Sequence, residues 1–109
     1  MIITPSSTVV GHRAVKTFGL VRGNTIRARH LGKDILAGLK NLVGGEIEEY
    51  TKMMAEAREQ AVDRMRTEAE SLGANAILDV RFSTSYMMGM ASEILVFGNA
   101  VLLEKDSNG

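Results

Sequence analysis

The chain contains no cysteine. That excludes disulfides, thiolate metal sites and a cysteine nucleophile. Tryptophan is absent, Pro5 is the sole proline, and the aromatic residues are three Phe and two Tyr. So few rings offer little stacking surface to nucleic acid bases. No stretch approaches the roughly 18 apolar residues of a membrane span. The opening "MIITPSSTVVGHR" has no basic segment, and its apolar run is too short for a secretory signal. A cytoplasmic protein without a membrane partner is therefore expected. Net charge is also lacking, with 13 basic against 13 acidic residues.

What is present fits one small domain of 109 residues, long enough for one modest core. The charges are unevenly spread. Up to Gly45, seven basic residues stand against Asp34; from Glu46 onward, six stand against twelve acidic ones. Such asymmetry can mark an anionic partner, or two halves that face each other within or between subunits. The basic residues are dispersed rather than blocked, which argues against nucleic acid and favours facing halves.

The first 29 residues read as extended structure, starting with a short strand over Ile2 to Thr4. Gly11, Gly19 and Gly23 interrupt the pattern, and Gly23-Asn24 reads as a hairpin turn. Ile35, Leu36, Leu39, Leu42 and Val43 keep helical spacing, which predicts a short helix after Asp34. The strongest pattern is "EIEEYTKMMAEAREQAVDRMRTEAESLG". Ile47, Tyr50, Met54, Ala57, Ala61, Met65, Ala69 and Leu72 form one stripe of an amphipathic helix that ends at Gly73. Glu48 with Lys52 and Arg66 with Glu70 are i,i+4 pairs on its wet side. From Glu46 to Leu72 such a helix is about 40 Å long and overhangs its own domain, which points to a neighbouring subunit.

Two strands close the chain. In "ANAILDVRFSTSYM", Ala76, Leu78, Val80 and Phe82 alternate with Ile77, Asp79, Arg81 and Ser83. "SEILVFGNAVLLE" is more continuously apolar, with a bulge expected at Gly98-Asn99. A polar tail, residues 105–109, follows.

Candidate chemistry is sparse. Gly44-Gly45 before a helix resembles a phosphate turn, but Glu46, Glu48 and Glu49 already occupy the positive helix end and would repel an anion. The pair reads as a joint between two helices. His30 and Asp34 could supply two metal ligands at i,i+4 spacing; His12 stands alone. Met87, Met88 and Met90 offer thioethers suited to soft ions, and equally suited to filling an interface. Arg27, Arg29 and Lys33 gather near the first helix as a candidate anion site. Glu93 opens the last strand. No serine sits in a nucleophile context and no catalytic constellation emerges.

The stretch from "AGLKNLVGG" through "Y", "AREQA" and "LGANAI", together with the closing "FGNAV", resembles the YbjQ-like family of small prokaryotic proteins. That family carries a heavy-metal-binding label. The resemblance covers about residues 8 to 104. It implies an α+β fold like a dodecin subunit, β-α-β-β, with a long helix on a three-stranded antiparallel sheet. It also implies extra N-terminal strands joining neighbours, a homopentamer, and no catalytic residues to transfer. Two functions are expected on these grounds. The first is a non-enzymatic assembly that binds a metal ion or small ligand. The second is an enzyme or anion-binding module that uses the basic N-terminal half.

Overall fold

The computed structural model describes residues 1–26, 45–87 and 90–106. Their elements are β1 (Ile2–Ile3), β2 (His12–Ile26), α1 (Gly45–Leu72), β3 (Ala76–Met87) and β4 (Met90–Lys105). The strands form one sheet in the order β1-β3-β4-β2. β4 is antiparallel to both β2 and β3, and β1 adds to the outer edge of β3 in parallel. The α+β expectation holds, with the short first strand as a fourth member of the sheet. The short helix expected after Asp34 lies outside the described residues.

α1 forms where the helical stripe predicts it, over 28 residues or roughly 42 Å. Ala57, Ala61, Met65 and Ala69 are wholly buried beneath it. Three of those four are alanines, so the helix backbone comes very close to the sheet. Gly23 is the contact point. A methyl group built there would overlap the Ala61 carbonyl and the Met65 amide. Gly23-Asn24 is therefore not a hairpin turn. β2 runs straight through it, and the missing side chain makes room for the helix. One turn further along, the buried Thr25 donates its hydroxyl to the Ala57 carbonyl at 3.0 Å.

Gly73, at φ 93°, ends the helix. Its N–H bonds the Glu70 carbonyl and that of Ala74 bonds the Ala69 carbonyl, the paired bonds of a Schellman cap. Asn75 follows as a side-chain substitute for a strand residue. Its amide donates to the Leu103 carbonyl at 2.9 Å and accepts from the Leu103 N–H at 2.7 Å. The "LGAN" segment thus turns the chain from helix to sheet in three residues. On the wet face, Arg66 pairs with Asp63 at 3.0 Å, one turn back, rather than with Glu70.

The alternation in β3 is not continuous. β3 carries one extra residue against β4 between Leu78 and Arg81, and Asp79 there has a positive φ of 55°. A bulge shifts every later side chain to the other face. Ile77 and Val80 consequently share the core under α1 with Val21, Ile94, Val96 and Ala100. Ala76 and Leu78 join Val101 and Leu103 on the opposite side, where Val9 packs on them. The bulge expected at Gly98-Asn99 thus lies across the ladder, on β3. Gly98 accommodates it, since a Cβ there would come within 2.7 Å of the Ile77 side chain and 2.9 Å of the Leu78 carbonyl.

The N-terminal segment straps this bulge. Thr4 accepts from the Val80 N–H, and Ser6 accepts from the Asp79 N–H at 3.0 Å. The Ser7 hydroxyl donates to the Asp79 carboxylate at 2.6 Å, and Arg81 donates to the Pro5 carbonyl at 3.0 Å.

Candidate functional site

Most residues singled out by sequence fall beyond this frame. Arg27, Arg29, His30, Lys33, Asp34 and Met88 lie outside the described residues. Met87 and Met90 are register partners at the hairpin that joins β3 to β4, with their side chains outside the described set. His12 opens β2, with its ring Nδ1 3.2 Å from the Val10 carbonyl. Glu93 is half-buried and accepts a hydrogen bond from the Asn24 side chain at 3.2 Å. Among the described residues, no three His, Asp or Glu side chains come together as a metal-binding group. No described helix is long and apolar enough to cross a membrane.

The surfaces that the fold does present were not visible in the sequence. The first is the helix side of β3. α1 lies along β2 and β4 and barely reaches β3. Beyond the bulge this leaves Phe82 52% exposed and Tyr86 70% exposed, beside the buried Val80 and Val96. A helix is about 10–12 Å across and covers roughly two strands spaced about 4.8 Å apart. A sheet of this width thus has room for a second helix over β3. Among the described residues β1 pairs with β3 at Ala76 and Ile77, and no described strand pairs with its outer edge past Val80.

The second surface is the opposite face of the sheet. Its upper part is covered by the strap. Lower down run the cross-strand rows Arg22–Phe97–Arg81 and Asn24–Leu95–Ser83, whose outer residues are exposed and whose β4 residues are half-buried; the row above them, Leu20–Asn99–Leu78, ends on Leu78, buried under Val9. Leu20 is 64% exposed and Phe97 half-buried.

The third is a shallow depression of about 300 Å³ on the outer face of α1, lined by Arg58, Glu59, Val62, Asp63 and Arg66. Both charge signs line it, as on any solvated helix face, and two of its residues already pair.

The β2 edge is treated differently. Glu68 of α1 accepts from the Arg22 backbone N–H at 3.5 Å, and Arg64 donates to the Asn24 carbonyl. These side chains blunt the strand edge beside the helix. Sequence alone gives no cue to that role, because both look like ordinary wet-face charges.

Comparison with known proteins supplies the family. A family model, YbjQ, described as "Putative heavy-metal-binding", matches residues 1–104. The chain belongs to the YbjQ family. It is 60% identical over 104 residues to a UPF0145 protein of Dehalococcoides mccartyi, covering 95% of this chain and 100% of that one. A UPF0145 protein of Archaeoglobus fulgidus is 55% identical, covering 94% and 95%. One from Thermus thermophilus is 52% identical, covering 95% and 91%. The fold is similar to a solved structure from Pediococcus pentosaceus, a DUF74-family protein of unknown function. That match has a TM-score of 0.50 at 16% identity and covers 97% and 98% of the two chains. The likeness speaks to the fold alone.

Proposed function

We propose that this YbjQ-family protein is a cytoplasmic, non-enzymatic homo-oligomer, a pentamer by its family resemblance, that binds a metal ion or small ligand where subunits meet. The uncovered apolar side of β3 carries the reading: Phe82 and Tyr86 lie exposed beside a core that one helix covers only in part. The dimensions agree with it. The radius of gyration is 17.5 Å and the long axis 58 Å. A compact domain of about 100 residues has a radius near 13 Å. The other half of the reading rests on the family's heavy-metal description and on composition. A subunit without cysteine, and without a ligand cluster among its described residues, would hold a metal by repeating one or two weak ligands around a ring. The methionines at the β3–β4 hairpin are the thioether candidates for that ring, and His30 with Asp34 the imidazole and carboxylate ones.

Light scattering on tag-free protein tests the assembly, and a monomer removes it. Calorimetric titration with copper(I) and zinc tests the ligand, and absence of heat at millimolar metal removes the metal.

A further inference from the structure

The uncovered strip over β3 and the start of α1 match in size. The Thr25 hydroxyl meets the Ala57 carbonyl, and β2 ends one residue later at Ile26. α1 begins at Gly45, twelve residues ahead of Ala57, so it runs about 18 Å past that contact. Among the described residues, Met54 is the first of α1 to pack on the core. Gly45 to Met53 is nine residues, or about 14 Å of helix. Phe82 and Tyr86 are four strand residues apart, or about 13 Å. We infer that the strip over β3 is filled by the first turns of α1 from a second copy of this chain.

Three observations carry this. First, the vacancy is one helix wide, and α1 of the same chain cannot fill it, because that helix lies along β2 and β4. Second, the apolar stripe of α1 does not stop where β2 stops. Ile47 and Tyr50 continue in sequence the spacing of Met54, Ala57 and Ala61. Third, the charges are complementary. Glu46, Glu48 and Glu49 open the helix, with Lys52 the one cation before Arg58. Arg64 and Glu68 reach the β2 edge, which leaves the i,i+4 row Arg58, Val62 and Arg66 on the flank of α1 towards β3. Val62 packs on the core there, between the two arginines. Glu59 and Asp63 stand further round the helix, towards solvent, with Asp63 on one nitrogen of Arg66. An acidic helix start thus meets an apolar wall flanked by cations.

This rests on the reading of the β3 side as a subunit contact, and it names the element of the neighbour that makes it. The donating and receiving patches are different parts of one chain. Such a contact is heterologous, and a heterologous contact that closes on itself makes a ring. The helix length and the uncovered strand, two separate oddities of the single chain, then have one cause.

The chain has no cysteine, so introduced thiols report one contact at a time. Two double variants of the full chain, Ile47→Cys with Tyr86→Cys and Tyr50→Cys with Phe82→Cys, each place one thiol on the helix start and one on β3. They are treated with a short bis-maleimide and run on denaturing gels, after light scattering has read the assembly. Bands of two or more linked chains are expected, exceeding those of the Ile47→Cys and Tyr86→Cys single variants by at least about tenfold, because the contact holds the two thiols at high effective concentration. If one pair fails to fold by circular dichroism, the other carries the test. An oligomer whose folded pairs link only within a chain, or not at all, overturns the inference and leaves the assembly standing. Linkage as strong from Ile47→Cys alone means that helix starts meet each other, and overturns it too. A monomer by light scattering removes the proposed assembly, and this contact with it.

Discussion

Gly23 sets the distance between helix and sheet. Its lack of a side chain and the small side chains of Ala57, Ala61 and Ala69 let the α1 backbone rest on β2. Both clashing atoms are backbone, so neither can swing away. Gly23→Ala should lower stability by about 3 kcal/mol, the upper part of the overpacking range, measured by urea unfolding. A loss below about 1 kcal/mol would mean that the helix shifts freely. Asn75 gives a second expectation. Its amide replaces two ladder bonds to Leu103, so Asn75→Ala leaves a backbone N–H and carbonyl unpaired and should cost about 2 kcal/mol. Asn75→Asp keeps the accepting half and should retain part of that loss. The sequence marked Gly23, as part of a turn, and did not single out Asn75. Glycine reads equally as turn or as close approach, and only the position of the helix decides between them.

At the scale of elements, α1 was the most legible and β3 the least. A stripe repeated over seven turns leaves little doubt about a helix or its buried face. A strand of twelve residues carries its face assignment on parity, and one extra residue reverses it. Asp79 tolerates the left-handed conformation better than most residues, and Ser7 holds its carboxylate, yet neither fact is written in local spacing. The reversal matters because it moves Phe82 and Tyr86 to the helix side, where α1 does not cover them. Replacing both by serine should shift the mass seen by light scattering toward the monomer and leave the circular dichroism spectrum unchanged. Unchanged mass would place the subunit contact elsewhere. Wet-face pairs on α1 matter little by comparison. Arg66→Ala removes an exposed partner of Asp63 and should change stability by no more than about 0.5 kcal/mol.

For the whole molecule, the uneven charge is the feature to test. Within the chain, Arg13 and Glu104 bridge the two halves at 3.7 Å, with both side chains largely exposed. Such a pair is weak. If the basic half of one subunit meets the acidic half of the next, the assembly should loosen as salt rises from about 0.05 to 0.5 M, over which the Debye length falls severalfold. Sedimentation velocity reads this directly. An assembly indifferent to salt would assign its cohesion to apolar contacts such as those of Phe82 and Tyr86.

The sequence by itself determined the family, the α+β class, the long helix and its buried stripe. The helix and its stripe follow from short-range periodicity; the family and the α+β class follow from the motifs the chain shares with its relatives. Only the tertiary structure decided which face each half of β3 presents, why Gly23 and Gly98 must be glycine, and which side of the sheet stays open. Those depend on residues far apart in sequence meeting in one register, and on a helix that comes to rest over two strands and leaves a third uncovered. The Arg22–Phe97–Arg81 row belongs to the same class, since it exists only once three strands are aligned.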